Sequence, residues 1–204
     1  MRIIIVSTVA LLGLVALVIL RPYFVDGRSL SEWEIDGNGQ WRMSGSVLQL
    51  HAAGVPPIRK PAAMAIFKSA PVGDFTFDVD IRSTAPADLA VRDVLLIFGY
   101  QSPTRFYYVH LSKKTDAVHN GIFLVKDADR KRLDEPTSVG HLVDQEWHHV
   151  RLVREVASGR IQVFFDADPN PVLSVVDGTL TTGRVGVGSF DETAEFRGME
   201  LSPR

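Results

Sequence analysis

The fold of this chain is decided by residues 75–82, which have the sequence FTFDVDIR. Apolar and polar side chains alternate through this stretch, and the apolar set is Phe75, Phe77, Val79 and Ile81. Successive side chains of a β-strand point to opposite faces of its sheet, so the alternation predicts a strand with one buried and one solvent-facing side. The solvent-facing set then contains Asp78, Asp80 and Arg82.

Further strand patterns lie on both sides of this stretch, about one every 8–14 residues, with turn residues between them. They cover residues 47–51, 94–100, 106–112, 121–126, 147–154, 160–166, 172–176, 183–190 and 195–201. The stretch 94–100 is continuously apolar, which predicts a strand covered on both faces. The pattern predicts an all-β domain over residues 32–204, a two-sheet antiparallel jelly-roll sandwich.

Residues 3–20 form an uninterrupted uncharged run rich in Leu, Ile and Val. As a helix this run would span about 27 Å, close to the hydrocarbon thickness of a bilayer. The alternative is a cleavable signal peptide, whose apolar region has about 7–15 residues and ends at a small-residue site. We predict one transmembrane signal anchor at residues 1–21 and a stalk at 22–31. The domain would lie outside the cytoplasm, in the periplasm or at the cell surface.

The composition excludes several classes of function. The chain has 22 basic and 24 acidic residues with no clustered basic patch, so we expect no nucleic-acid partner. It has no cysteine, which excludes thiol catalysis, thiolate zinc sites and disulfides. Phosphate-binding loops, dinucleotide fingerprints and a nucleophile elbow are also missing from the sequence.

Four motifs occur in a characteristic order: GDF at 73–75, WHHVRL at 147–152, FFD at 164–166 and GRVGVG at 183–188. In this order and spacing they resemble the concanavalin A-like and laminin G-like sandwich superfamily. The resemblance covers residues 33–202. It implies a sandwich in which one sheet is concave and commonly holds saccharide on its outer face.

The stretches 106–111 and 119–123 are also similar to bacterial extracytoplasmic domains related to the 3-keto-disaccharide hydrolase group. In that group an acidic residue and an arginine on the GDF strand accompany an N-S-G signature. Asp80 and Arg82 match the acid and the arginine. The signature itself is absent, because residues 93–95 are Asp, Val and Leu.

The resemblance and the alternation together predict one row of ligand-binding side chains on the concave sheet. Its members are Asp78, Asp80, Arg82, Tyr108, His110, His149 and Arg151. Aromatic rings cover the apolar faces of sugars, and charged groups bond hydroxyls in fixed directions. If the domain is an enzyme, Asp80, His110 and His149 are the candidate acids and bases. The alternative is an ordinary solvated face with cross-strand ion pairs.

Metal sites are also predicted, although no cofactor is required. Asp191 and Glu192 are the best position for a structural calcium ion, since carboxylates in loops are calcium ligands. His110 and His119 with Asp116 are a second candidate, for a divalent ion bound by two imidazoles and a carboxylate.

Three functions remain open from the sequence. The first is a non-catalytic, membrane-anchored domain that binds saccharide. The second is an enzyme acting on glycosides, of the 3-keto-glycoside hydrolase or lyase kind. The third is a structural or protein-interaction domain whose groove is filled by Trp33, Trp41 or the 52–63 segment.

Overall fold

The computed structural model describes residues 29–57, 59–136 and 139–204, together with the backbone of 23–24. Strands dominate these residues, and one short 3-10 helix, Leu30–Glu32, precedes β2. The strands are β1 (Tyr23–Phe24), β2 (Trp33–Gly37), β3 (Gln40–Ser44), β4 (Val47–Ala52), β5 (Ala63–Phe67), β6 (Phe75–Ser83), β7 (Asp93–Ser102), β8 (Arg105–Ser112), β9 (Gly121–Lys126), β10 (Lys131–Arg132), β11 (His148–Glu155), β12 (Arg160–Phe165), β13 (Leu173–Val176), β14 (Arg184–Ser189) and β15 (Ala194–Pro203). The predicted all-β class is confirmed.

The strands form two antiparallel sheets that pack as a sandwich. Sheet A has the order β13-β12-β11-β6-β15-β4-β3, and β1 pairs with β15. Sheet B has the order β10-β9-β8-β7-β14-β5-β2. The deciding strand β6 lies in the middle of sheet A, between β11 and β15.

The core lies between the sheets. The alternating apolar residues of β6 all point into it, and each is at most 1% exposed. Trp33 and Trp41 belong to the same inter-sheet core, where Trp41 packs against Phe196 and Trp33 against Phe67. These two tryptophans therefore stabilise the sandwich and do not fill a groove on its surface.

A second apolar layer covers the outer face of sheet B. Val94, Leu96 and Phe98 of β7 point to the inter-sheet core, while Leu95 and Ile97 point to this second layer. All five side chains are buried, which confirms the prediction that this strand is covered on both faces. The open sheet face of the sandwich is therefore the outer face of sheet A.

The predicted membrane anchor lies outside the described residues. Within the described ranges, the structure contains no helix of the length and apolarity needed to cross a bilayer. Tyr23 and Phe24, inside the predicted stalk, pair with Leu201 and Glu200 of β15. The sheet pairing therefore begins earlier in the chain than the predicted start of the domain at residue 32.

Candidate functional site

Five of the seven predicted ligand-binding residues lie together on the open face of sheet A. Asp78, Asp80 and Arg82 come from β6, and His149 and Arg151 come from the adjacent β11. The strand register places Arg151 opposite Asp78 and His149 opposite Asp80. Alternation along both strands sends these side chains away from the core, as predicted.

Tyr108 and His110 do not join this row, so the expectation of a single shared sheet was wrong. Both lie on β8 in sheet B and are 0% and 2% exposed. Tyr108 stacks on Phe123 with ring centroids 5.0 Å apart. The physical reason is the long-range pairing of β8 with β7 and β9, which alternation within β8 does not specify.

The carboxylates of the row are held by arginine and histidine side chains. Asp78 accepts from the Nε of Arg151 at 2.7 Å and lies 3.0 Å from the Nε2 of His149. Asp80 lies 3.0 Å from the Nδ1 of His149 and accepts from the Nε of Arg197 at 3.3 Å. Cross-strand pairs of this kind are what the alternative prediction, an ordinary solvated face, also expects. They fix the side chains in place.

A tryptophan that sequence analysis overlooked lies at the end of this network. The guanidinium groups of Arg82 and Arg197 lie 4.6 and 4.1 Å from the centre of the Trp147 ring. Arg82 also donates from Nε to Glu195 at 2.9 Å. Trp147 is the first residue of the WHHV motif and lies two positions before His149. Alternation along the chain could therefore have placed it on the same face as the row.

A surface pocket of about 430 Å³ opens beside the row, over β11 and β12. Its lining consists of His149, Arg151, Val153, Phe164, Asp166, Ala167, Asp168, Pro169 and Arg204. Phe164 is half-buried and lies opposite Arg151 in the strand register. Phe164 was not among the predicted site residues, although alternation along β12 places it on the same face as Gln162.

The loop after β12 forms the rim of the pocket and is held in place by contacts of Asp166 with His148 and His149. Asp166, at a φ of 52°, accepts from the backbone N–H of His149 at 3.0 Å and lies 2.9 Å from the Nδ1 of His148. The Nε2 of His148 lies 2.9 Å from Asp144. Burial lowers the pKa of His148, but the hydrogen bonds to Asp166 and Asp144 outweigh it and raise this pKa overall. His148 therefore ties the pocket rim to the loop before β11.

His110 is one half of a buried pair at the end of sheet B. Its Nε2 lies 3.0 Å from Asp93, and its Nδ1 lies 3.1 Å from the carbonyl oxygen of Val118. Asp93 also accepts from the Ser189 hydroxyl and from the backbone N–H of Phe190. With both nitrogens engaged and almost no exposed surface, His110 stabilises this end of the sandwich in the structure.

The acidic loop after β14 contains the predicted calcium ligands. Burial and the nearby Asp93 raise the pKa of Asp191, and burial with Asp191 and Asp93 raises the pKa of Glu192 to about 7. In the part of the chain that the structure describes, no three His, Asp or Glu side chains are grouped so as to hold a metal ion. The calcium site at this loop therefore stays a prediction.

The side chains of the second metal candidate also contact one another. The rings of His110 and His119 have centroids 5.5 Å apart, and the Nδ1 of His119 lies 2.8 Å from Asp116. Asp116 additionally accepts from the backbone N–H groups of Val118 and His119, and these bonds organise the loop. The second metal site also stays a prediction.

No protein-family model matches the sequence, and the search of curated proteins found no match. Several solved structures do match. The carbohydrate binding module CBM66 from Bacillus subtilis has a TM-score of 0.66 at 18% identity, over 84% of this chain and 95% of that one.

Two further structures show the range of proteins that share this architecture. Lectin I from Ulex europaeus, solved with the methyl glycoside of α-L-fucose, has a TM-score of 0.58 at 14% identity, over 89% of this chain and 97% of that one. The xylan β-1,4-xylosidase from Bacillus halodurans has a TM-score of 0.55 at 12% identity, over 78% of this chain and 33% of that one. At such identities the likeness establishes architecture and no activity. The sequence motifs, the two-sheet topology and these matches together show that the chain has the concanavalin A-like sandwich fold.

Proposed function

We propose that this chain is a membrane-anchored, extracytoplasmic domain that binds saccharide without catalysis, in the pocket on the open face of sheet A. The observation that carries the proposal is the pocket itself, where Phe164 lies beside His149 and Arg151. An aromatic ring flanked by directional donors suits a sugar, which has apolar C–H faces and hydroxyl edges. The matched carbohydrate binding module and lectin support a saccharide as the partner.

Binding is favoured over catalysis because the acids of the row are already engaged. Glycoside hydrolysis needs two carboxyl groups on either side of the scissile bond, one of them able to deliver a proton. Asp78 and Asp80 are instead each bonded to an arginine and to His149. These bonds engage both carboxylates with the protein itself rather than with a bound sugar.

The anchor rests on the uncharged run at residues 3–20, which is long enough for one membrane crossing. Extraction of isolated membranes with alkaline carbonate tests it. An anchored chain stays in the membrane pellet, while a chain released to the supernatant, or one shortened at its N-terminus, contradicts the anchor.

Saccharide binding is tested with the purified full-length chain on an array of immobilised glycans. Phe164→Ala should weaken the binding of any retained glycan by about tenfold or more, since truncating a central aromatic contact costs more than about 1.4 kcal/mol. Val176→Ala is the matched control, because Val176 is exposed on the neighbouring β13 and lies outside the pocket.

Each outcome of the array bears on the proposal. Binding that Phe164→Ala weakens and Val176→Ala leaves unchanged supports it. If no glycan is retained, saccharide binding is wrong. If a glycan is retained equally by the wild type and Phe164→Ala, the pocket on sheet A is the wrong site.

A further inference from the structure

The pocket on sheet A is lined by Arg151, whose two terminal nitrogens have no hydrogen-bond partner among the described residues. From this we infer that the ligand of the pocket is an acidic saccharide, one that carries a carboxylate or sulfate group, and that Arg151 pairs with this anion. The inference rests on the proposed saccharide function and narrows its substrate class.

Each carboxylate around the pocket holds a neighbouring group of the protein through at least one of its oxygens. Asp78, beneath Arg151, takes one arginine N–H and faces one nitrogen of His149. Asp166 serves the backbone of His149 and the ring of His148. Asp168 accepts from the backbone N–H of Asn170 at 2.9 Å and so closes its own turn. These carboxylates therefore act as anchors for the pocket walls.

The N–H donors of Arg151, in contrast, are only partly used by the protein. A guanidinium group carries five N–H donors. Arg151 uses Nε to hold Asp78, and among the described residues neither of its Nη atoms has a hydrogen-bond partner. Its side chain is 54% exposed and lines the pocket. The bond from Nε fixes the orientation of the group, while its outer edge remains available for an anion.

The strand register places this donor edge beside the aromatic ring. Arg151 and Phe164 are direct partners across β11 and β12. Side chains so paired on one face have Cβ atoms about 4.5–5.5 Å apart. A sugar ring stacked on Phe164 would therefore present a ring substituent to Arg151. A carboxylate or sulfate at that substituent matches the paired N–H groups of arginine, which a neutral hydroxyl does not.

The experiment uses the full-length chain and three pairs of immobilised polysaccharides that differ in charge. They are polygalacturonate and its methyl ester, hyaluronan and its methyl ester, and dextran sulfate and dextran. The wild type should bind at least one acidic member about tenfold more tightly than its neutral partner. This preference should shrink as sodium chloride rises, because salt screens exposed charges.

Variants locate the effect at Arg151. Arg151→Gln should remove the preference, so that the acidic and neutral members of each pair bind with affinities within about twofold of each other. Arg42→Gln, which removes an arginine bonded to Gln49 on the same sheet but outside the pocket, should keep the preference. Circular dichroism of both variants checks that the sandwich is intact.

Failure of the inference differs from failure of the proposed function. If saccharides are retained in the pocket but no acidic member exceeds its neutral partner, the acidic ligand is wrong and the saccharide site stands. If acidic members bind better but Arg151→Gln keeps the preference, the assignment of Arg151 is wrong. If neither these polysaccharides nor the glycan array give binding, both proposals are wrong.

Discussion

The buried pair of Asp93 and His110 allows a quantitative prediction about stability. Asp93 is 1% exposed and accepts hydrogen bonds from His110, from the hydroxyl of Ser189 and from the backbone of Phe190. Asp93→Ala would leave these donors without an acceptor in a site closed to water. Leaving a buried donor without an acceptor costs about 1–3 kcal/mol, so the three donors together make the expected cost about 3–5 kcal/mol. We expect the free energy of unfolding to fall by this amount.

The measurement is urea unfolding of the full-length chain, followed by tryptophan fluorescence and extrapolated linearly to water. Asp129→Ala is the control, since Asp129 pairs with Arg59 at the surface, is 60% exposed and should contribute at most about 1 kcal/mol. The double variant Asp93→Ala/His110→Phe should lose less than the sum of the two single changes, because the stranded imidazole is then gone. A loss from Asp93→Ala no larger than that from Asp129→Ala would refute the buried-pair reasoning.

Two further predictions concern histidine and arginine side chains that fasten loops. Because the pKa of His148 is raised in the folded state, protonated His148 stabilises the fold. This stabilisation is fully present below the ordinary histidine pKa of about 6.5 and is lost as the pH rises through the folded-state pKa. Unfolding measured from about pH 5.5 to 8.5 should therefore show a loss of stability that His148→Gln makes smaller, and identical pH slopes for both chains would contradict the assignment. Arg154 is 2% exposed and donates to three backbone carbonyls, so Arg154→Met should lower the unfolding free energy by about 3–5 kcal/mol. The exposed Arg160→Met should cost at most about 1 kcal/mol, and equal urea midpoints for the two variants would show that the Arg154 bonds contribute little.

Several strands were missed by the sequence patterns, for identifiable reasons. β5 has a short, uniformly apolar sequence between prolines, which has no period of its own. β2 and β3 carry single tryptophans that enter the core, flanked by polar residues that hide the alternation. β10 has two residues and is held by its pairing with β9.

The residues of the candidate site also divide into those that local alternation predicts and those that depend on long-range contacts. Asp78, Asp80, Arg82, His149 and Arg151 were found because each follows from local alternation on two adjacent strands. Tyr108 and His110 were placed wrongly because the same alternation is satisfied on either sheet. Asp166 and the pocket rim were not foreseen, since a loop conformation at positive φ depends on contacts with His148 that are distant in sequence.

The sequence by itself determined the all-β class, the buried face of β6 and the side chains on its open face, because a strand's two-residue period is a local property. Only the tertiary structure decided which strands share a sheet, and hence that β8 lies across the core from β6. It also decided which carboxylates are already bonded, and that the terminal nitrogens of Arg151 in the pocket have no partner among the described residues. These features arise from pairings between residues far apart in the chain, where loop closure and packing, rather than local pattern, select one partner among many.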